Sequence, residues 1–184
     1  MLEGEKRYIE EAQDGNQGAF GKLYEFYLPK IYRFILLKVT HKNEAEDLVH
    51  EVFLNAWQNL HSYTARGFPF SSWLYQIARN EVIDFYRTRK FTARLDDLED
   101  FVFKVAEQQS QELNHVLDLE KVQQFIARLT SDQQDVLIMR FVEDLSHREI
   151  AATLAKSEGA IRLIQYRAIQ TLKQLIEKKY GPLT

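Results

Sequence analysis

The segment PFSSWLYQIARNEVIDFYRTR (residues 69–89) carries side chains that suit contact with unpaired nucleic-acid bases. Around the apolar stripe of a predicted helix it holds five such groups: Tyr75, Arg79, Asn80, Tyr86 and Arg87. Aromatic and guanidinium planes stack on unpaired bases, at roughly 1–3 kcal/mol per base, and asparagine can hydrogen-bond a base that has left the duplex. With the loop HSYTARGFPF (residues 61–70), the segment predicts a surface for melted single-stranded DNA. The alternative is that the tyrosines are peripheral core and that the arginine stems lie along apolar surface.

The segment LSHREIAATLAKSEGAIRLIQYRAIQTLKQL (residues 145–175) has the pattern of a helix-turn-helix. Ser146 with Glu149 forms a capping box for a short helix, and Ser157 caps a second one. In this motif the second helix enters the major groove, where arginine can bind guanine and glutamine can bind adenine. The outward residues predicted to contact DNA are Ser157, Glu158, Arg162, Gln165, Tyr166 and Arg167. An ordinary helical hairpin with a solvated face is the alternative.

The segment EAEDLVHEVFLNAW (residues 44–57) has the most regular helical pattern in the chain. Opposite its apolar stripe lie Glu46, Asp47, His50, Glu51 and Asn55. This face is either a solvated acidic surface or a docking surface for a basic protein groove, in which rim charges set orientation and association rate. It does not suit catalysis, because acids on an exposed face lack the burial that perturbs a pKa. Neither His50 near Glu51 nor His147 near Glu149 has the spacing of a zinc site, so we expect no catalytic residues and no metal ligands.

These segments must be positioned by helices, because the chain has no strand-like alternation. We predict an all-α fold of two small helical domains joined by an acidic linker, the C-terminal domain being a four-helix helix-turn-helix domain. The predicted boundaries are 1–92 for the first domain, 93–112 for the linker and 113–184 for the second domain. Pro29 predicts a break or kink in the helix over residues 19–39, and Ser71 or Ser72 is the expected N-cap of the helix that follows the loop.

The composition narrows the classes of function. The 184 residues include no cysteine, which excludes disulfide frameworks, thiolate zinc sites and cysteine nucleophiles. The start lacks the apolar core of a signal peptide and no apolar run is long enough to span a membrane, so we expect a cytoplasmic protein. The net charge is −3, and residues 93–112 hold six acidic residues against two basic ones. Tight DNA binding by the chain alone is therefore not expected, because affinity for DNA comes largely from neutralised phosphates.

Taken in their order along the chain, the three segments resemble a bacterial RNA polymerase sigma factor of the extracytoplasmic-function (ECF) type, over residues 15–90 and 115–178. The resemblance implies a subunit that binds core RNA polymerase, directs it to specific promoters and assists melting, with no chemistry and no cofactor of its own. It implies that four residues face the clamp helices of the largest core subunit: Asp47, His50, Glu51 and Leu54. It implies that Asn80, with the loop before Trp73, holds a flipped-out base of the minus-ten element. It also implies that Arg162, Tyr166 and Arg167 contact the minus-thirty-five duplex.

The sequence departs from this family at several positions. His50 stands where glutamine is common, and Leu163 and Ile164 follow the first recognition-helix arginine in place of small polar or basic residues. The acidic linker would lie near the polymerase active-site cleft, where it could mimic nucleic acid. The family also suggests an anti-sigma factor as a partner, and no insertion of this chain into a membrane.

Two other functions are weighed against the resemblance. A free-standing helix-turn-helix regulator with an N-terminal helical sensor domain would bind duplex DNA without polymerase, usually as a dimer on paired half-sites. A helical metal-dependent enzyme would need convergent histidine and carboxylate pairs on facing helices, whereas the carboxylates here are predicted to face outward.

Overall fold

The computed structural model describes residues 2–39, 41–65, 67–93 and 121–181. Every regular element in these ranges is a helix, so the predicted all-α fold is confirmed. The predicted acidic linker lies outside the described residues apart from its first position, where a helix ends. Residues 113–120 lie outside them as well, and the predicted domain limits therefore stay predictions.

The first domain is built from four α-helices and one short 3-10 helix. They are α1 (Glu5–Gln13), α2 (Gln17–Leu36), α3 (Lys42–Asn59), the 3-10 helix Leu60–Ser62 and α4 (Phe70–Ala93). The Asn16 side chain caps α2 by accepting a hydrogen bond from the Ala19 amide at 3.2 Å. α2 continues through Pro29, so of the two predicted outcomes the break is excluded. The buried side chains of Tyr27 and Ile31 on either side hold the helix against the core despite the missing backbone donor.

The apolar stripe of α3 faces the core of the first domain, as its spacing predicts. Its buried residues are Ala45, Leu48, Val49, Val52, Phe53 and Ala56. Trp57, at the end of the stripe, is half-buried, and its ring centroid lies 4.8 Å from that of Phe20. Burial of this stripe leaves the opposite, charged face of α3 in solvent.

α4 begins at Phe70, so Ser71 and Ser72 lie in its first turn and the prediction that either serine caps the helix is wrong. Both serines are buried, and the Ser72 hydroxyl donates to the Glu149 carbonyl of the second domain at 3.4 Å. The buried apolar and aromatic residues of α4 are Phe70, Leu74, Tyr75, Ala78 and Val82, while Trp73, Ile77 and Phe85 are half-buried. The core stripe of α4 is thus centred nearer to Tyr75 than the sequence predicts.

Four helices form the described part of the second domain. They are α5 (residues 121–126), α6 (Ser131–Phe141), α7 (His147–Leu154) and α8 (Glu158–Tyr180). The predicted capping box of α7 is present: the Ser146 amide donates to Glu149 at 2.8 Å, and the Glu149 amide donates to the Ser146 hydroxyl at 3.2 Å. Ser157 caps α8 by accepting from the Ala160 amide at 3.2 Å. The two caps fix α7 and α8 as the predicted helix-turn-helix.

The two domains pack against each other in a closed arrangement. Buried apolar residues of both belong to one continuous cluster, and α4 lies against α7. Gln123 of α5 reaches the first domain, where its amide donates to the carbonyls of Leu36 and Val39. The face of α4 that carries Tyr75 and Arg79 therefore meets the second domain.

The turn of the helix-turn-helix places an alanine in the left-handed backbone region. Ala155 follows α7 directly and has φ 50° and ψ 44°. This conformation costs a residue with a Cβ roughly 1–2 kcal/mol, which glycine avoids. The turn is therefore a position at which the native residue is not the most stable one.

Replacing Ala155 with glycine should stabilise the protein by about 0.5–1 kcal/mol, because the relief of this strain exceeds the entropy that glycine adds to the unfolded chain. Urea unfolding followed by circular dichroism measures the change. Ala152→Gly is the matched control, since it lies inside α7 and should destabilise by about 1 kcal/mol. Loss of stability in both variants would contradict the strain assigned to the turn.

Candidate nucleic-acid interface

The outer face of α3 is an exposed surface without internal partners. Asp47, His50, Glu51 and Leu54 follow the i, i+3, i+4, i+7 spacing of one helical face, and all four are exposed. Leu54 has 42% of its surface exposed, although it is a large apolar residue. None of these four side chains has a hydrogen bond or ion pair within the described ranges. An apolar residue ringed by unpaired charges is the composition of a docking site for another protein.

The five predicted DNA-contacting residues of α4 divide between two faces of the helix. Asn80 and Arg87 are exposed and lie on one face, which Gln76 and Ile83 complete at the same helical spacing. Among the described residues, Arg87 pairs with Asp84 alone, in an exposed ion pair at 3.1 Å. Such a pair contributes little to stability, so the guanidinium can exchange this carboxylate for another anion.

Tyr75, Arg79 and Tyr86 occupy a second face of α4, and two of them are covered by the second domain. The Tyr75 ring is 1% exposed, and its hydroxyl donates to Glu143 at 3.0 Å. The expectation that Tyr75 leaves the core stripe is therefore wrong. Arg79 is 24% exposed and bonds to acidic residues of α6, described below.

Tyr86 is 38% exposed, and its hydroxyl donates to the Lys38 carbonyl at 2.6 Å, which ties α4 to the end of α2. Burial raises the pKa of Tyr86 and, more strongly, that of Tyr75, to which Glu143 adds by its charge and by its hydrogen bond. Both phenols therefore remain protonated donors throughout the physiological pH range.

The exposed face of α8 combines basic, aromatic and apolar side chains. Arg162, Tyr166 and Arg167 are exposed, as predicted, and Leu163 lies among them with 48% of its surface exposed. Arg162 pairs with Glu158 one turn earlier at 3.0 Å. This surface pair can open at low cost when a phosphate or base presents a competing acceptor.

Gln165 lies at the edge of this surface rather than in its middle. It is half-buried, and its side-chain oxygen accepts a hydrogen bond from His147 Nε2 at 2.7 Å. This bond joins α7 to α8 and fixes the crossing of the two helices. Gln165 therefore supports the position of the recognition helix in this structure.

Three exposed residues of these faces were not among the sequence-predicted sites. Gln76 and Ile83 follow from the spacing of Asn80 and Arg87 along α4, a signal that the sequence contains. Leu163 was noted only as a departure from the family. Its position three residues before Tyr166 and four before Arg167 assigns it to the same face of the helix.

The described residues contain neither a group of three or more histidine, cysteine or acidic residues arranged to hold a metal ion nor a helix long and apolar enough to cross a membrane.

Comparisons with known proteins identify the family. The Sigma-70 region 2 family matches residues 23–92, and the Sigma-70, region 4 family matches residues 125–174. The chain is 36% identical over 173 residues to the ECF RNA polymerase sigma factor BldN of Streptomyces coelicolor, covering 91% of this chain and 64% of BldN. It is 31% identical over 164 residues to the ECF RNA polymerase sigma factor SigX of Bacillus subtilis, covering 86% of this chain and 84% of SigX.

The chain belongs to the ECF RNA polymerase sigma factors. Sigma factors bind core RNA polymerase and promoter DNA and regulate the initiation of transcription, so a free-standing helix-turn-helix regulator is not favoured. Among solved structures, CnrH in complex with the cytosolic domain of CnrY is similar in fold, with a TM-score of 0.75. It is 23% identical to this sigma factor and covers 95% of this chain and 98% of that chain.

The burial of Tyr75 predicts the outcome of two substitutions in this sigma factor. Tyr75→Ala should destabilise the protein by about 3–5 kcal/mol, because it leaves a cavity beside Phe34, whose ring centroid lies 5.4 Å away. Tyr75→Phe keeps the ring and loses only the bond to Glu143, at a cost of about 1–2 kcal/mol. Urea unfolding compares the two. Equal losses would contradict the position of the ring in the core.

Proposed function

We propose that this sigma factor divides its binding among three helical faces. The outer face of α3 binds the clamp helices of the largest core polymerase subunit. The exposed face of α4, with Asn80 and Arg87, binds the melted minus-ten strand. The exposed face of α8 reads the minus-thirty-five duplex, and the chain acts in the cytoplasm by binding alone, without chemistry of its own.

The observation that carries this proposal is the exposed face of α8 on a doubly capped helix-turn-helix. Ser146 and Ser157 cap the two helices, and Arg162, Tyr166 and Arg167 are exposed on the second one. A helix entering the major groove presents base-reading groups on such a face. Arginine recognises the acceptor pair of guanine, and the phosphates accept from the remaining donors.

Leu163 adds an apolar group to this proposed reading surface. In the major groove, only thymine presents a methyl group, and an apolar side chain can contact it. A leucine at 48% exposure between Arg162 and Tyr166 is suited to that contact. We assign to it a preference for a thymine within the minus-thirty-five element.

The proposed minus-ten surface combines a hydrogen-bonding group with a cation. Asn80 supplies a donor and an acceptor to the edge of a flipped-out base, and Arg87 lies about two turns further along the same face to meet the backbone. Tyr75, Arg79 and Tyr86 border this surface on the neighbouring face. Tyr75 and Arg79 can join it only when the second domain has moved away, because Glu143 and two aspartates cover them.

An anti-sigma factor stays a prediction for this chain. Such a partner would bind one of the three exposed faces and keep polymerase or promoter DNA from it. Co-purification with the products of neighbouring genes tests this prediction.

The docking role of α3 predicts that its loss weakens binding to core polymerase and so reduces transcription from all promoters alike. Asp47→Ala with Glu51→Ala should weaken binding to core RNA polymerase about tenfold, because two charges that orient the contact are removed. Binding of the fluorescently labelled chain to purified core polymerase measures the change. Glu10→Ala with Glu25→Ala removes the same charge from α1 and α2 and should leave the affinity unchanged. Unchanged core binding in the α3 variant would refute the docking role.

The reading role of α8 predicts a promoter-specific loss. Arg167→Ala should reduce transcription from the strongest promoters of a library about tenfold or more, since a base or phosphate contact of arginine is lost, while core binding stays intact. Reconstituted holoenzyme and a library of promoter sequences provide the test. Lys173→Ala, which removes an exposed cation further along the same helix, is the control. A uniform loss at all promoters would contradict a role in sequence reading.

A further inference from the structure

The acidic start of α6 is bound to the face of α4 that borders the proposed minus-ten surface. Arg79 Nε donates to Asp135 Oδ2 at 2.8 Å, and Arg79 Nη2 donates to Asp132 Oδ1 at 3.0 Å. Two carboxylates of the second domain thus hold the guanidinium of the first. Asp132 also accepts from Lys156 of its own domain at 3.1 Å, which fixes the carboxylate beside Arg79.

The Asp135 carboxylate is held in place by a second cation of the first domain. Lys38, in the turn that follows α2, bonds to Asp135 Oδ1, and both side chains are almost completely buried, at 2% and 0% exposure. Burial lowers the pKa of Lys38, and the Asp135 carboxylate opposes this shift. A buried carboxylate between two cations cannot leave one of them without a large loss of pairing, so the contact closes or opens as a unit.

A second anchor lies at the other end of α6. Glu143 is 1% exposed, and its carboxylate accepts both Nε and Nη2 of Arg33 at 3.1 Å, in the two-bond geometry preferred by arginine. It also accepts the Tyr75 hydroxyl at 3.0 Å. The two anchors together join both ends of the α6 region to the Tyr75 and Arg79 side chains of α4.

Asp132 and Asp135 bind the Arg79 guanidinium, a group that could otherwise bind nucleic acid. Arginine recognises carboxylate and phosphate through the same fork of donors, and its plane can stack on a base when it is free. While Asp132 and Asp135 occupy Arg79, neither contact is available to a DNA strand. The loop before α4 is also faced by the second domain, since Phe68 shares a groove of about 420 Å³ with Arg148 and Lys156.

We propose that Asp132, Asp135 and Glu143 form an intramolecular latch that competes with single-stranded minus-ten DNA for the Arg79 face of α4. This inference rests on the proposed role of α4 in binding the minus-ten strand. In the free sigma factor the second domain covers the Arg79 face, and it must separate from α4 before the strand binds there. The α3 face stays exposed in the closed form, so polymerase can dock first and the opening can follow.

The test uses the full chain without polymerase and a short fluorescein-labelled single-stranded DNA of randomised sequence. Asp132→Asn with Glu143→Gln weakens both anchors, keeps side-chain volume and leaves the buried Lys38–Asp135 pair intact. Only open chains bind the strand, so the apparent affinity is the intrinsic affinity multiplied by the fraction of open chains. The variant raises this fraction and should bind the DNA about tenfold more tightly than the natural chain. Asp132 is half-buried at the edge of the interface, and asparagine keeps its volume, so the single variant Asp132→Asn is a second test that carries little risk to folding.

The matched control removes the same charge elsewhere in the second domain. Asp144→Asn with Glu177→Gln changes two exposed acids outside the interface, so it measures the gain that comes from net charge alone. Adding Arg79→Ala to the latch variant should abolish its gain, because Arg79 is the shared donor. Binding by the latch variant that is no tighter than binding by the control would overturn the latch.

A separate experiment distinguishes an incorrect latch proposal from an incorrect assignment of α4 to the minus-ten strand. Asn80→Ala in reconstituted holoenzyme should slow promoter opening whether or not the latch exists, because Asn80 is exposed in the closed form. Slow opening in that variant combined with no gain in the latch variant rejects the latch alone. Normal opening rejects the assignment of α4 and the latch with it.

Discussion

A buried carboxylate with two cationic partners controls how the domains of this sigma factor are arranged. Asp135 is fully buried, and a charge in that position is stable only when it is paired and hydrogen-bonded. Its partners both belong to the first domain, Lys38 to the turn that follows α2 and Arg79 to α4. Apolar packing between the domains is not directional, whereas these hydrogen-bonded ion pairs require one relative position of the three groups. The closed arrangement therefore depends on these three groups together with the contacts that Asp132 and Glu143 make to the first domain.

Much of the fold could be predicted from local sequence patterns. The stripe of α3, from Ala45 to Ala56, is buried as its spacing requires. In the helix-turn-helix, the capping box of Ser146 and the Ser157 cap lie where the sequence indicates. These features succeed because each is decided within one or two turns of helix. The exposure of Asp47, His50, Glu51 and Leu54 follows from the same periodicity.

The features that could not be predicted depend on contacts between distant segments. The apolar spacing of α4 does not mark Tyr75 as a core residue. It is nevertheless buried, because it packs against Phe34 and donates a hydrogen bond to Glu143. Arg79 has the composition of a nucleic-acid contact, and its partners lie more than 50 residues later in the chain. Helical periodicity identifies which face is apolar but not which polar face a second domain will cover. Ser72 is a related case, since its hydroxyl donates to the Glu149 carbonyl of the second domain and does not cap its own helix.

The same arrangement connects structure to function. Family membership makes the chain a sigma factor, and the three exposed faces suit its partners, but only the α3 and α8 faces are complete in the closed form. The α4 surface is divided, with Asn80 and Arg87 open and Arg79 occupied. In the closed form, the α3 face proposed to bind polymerase is thus exposed, while part of the α4 surface proposed to bind melted DNA is still covered. This order would limit contact with single strands in the absence of the enzyme.

The distance between the two domains tests this account most directly. The chain has no cysteine, so Gln58→Cys on α3 and Gln174→Cys on α8, both exposed, accept one spin label per domain. Double electron–electron resonance should give one narrow, short distance for the free sigma factor and a longer one after core RNA polymerase is added. A broad distribution in the free chain, or a short distance that persists on the polymerase, would contradict the closed arrangement and its opening.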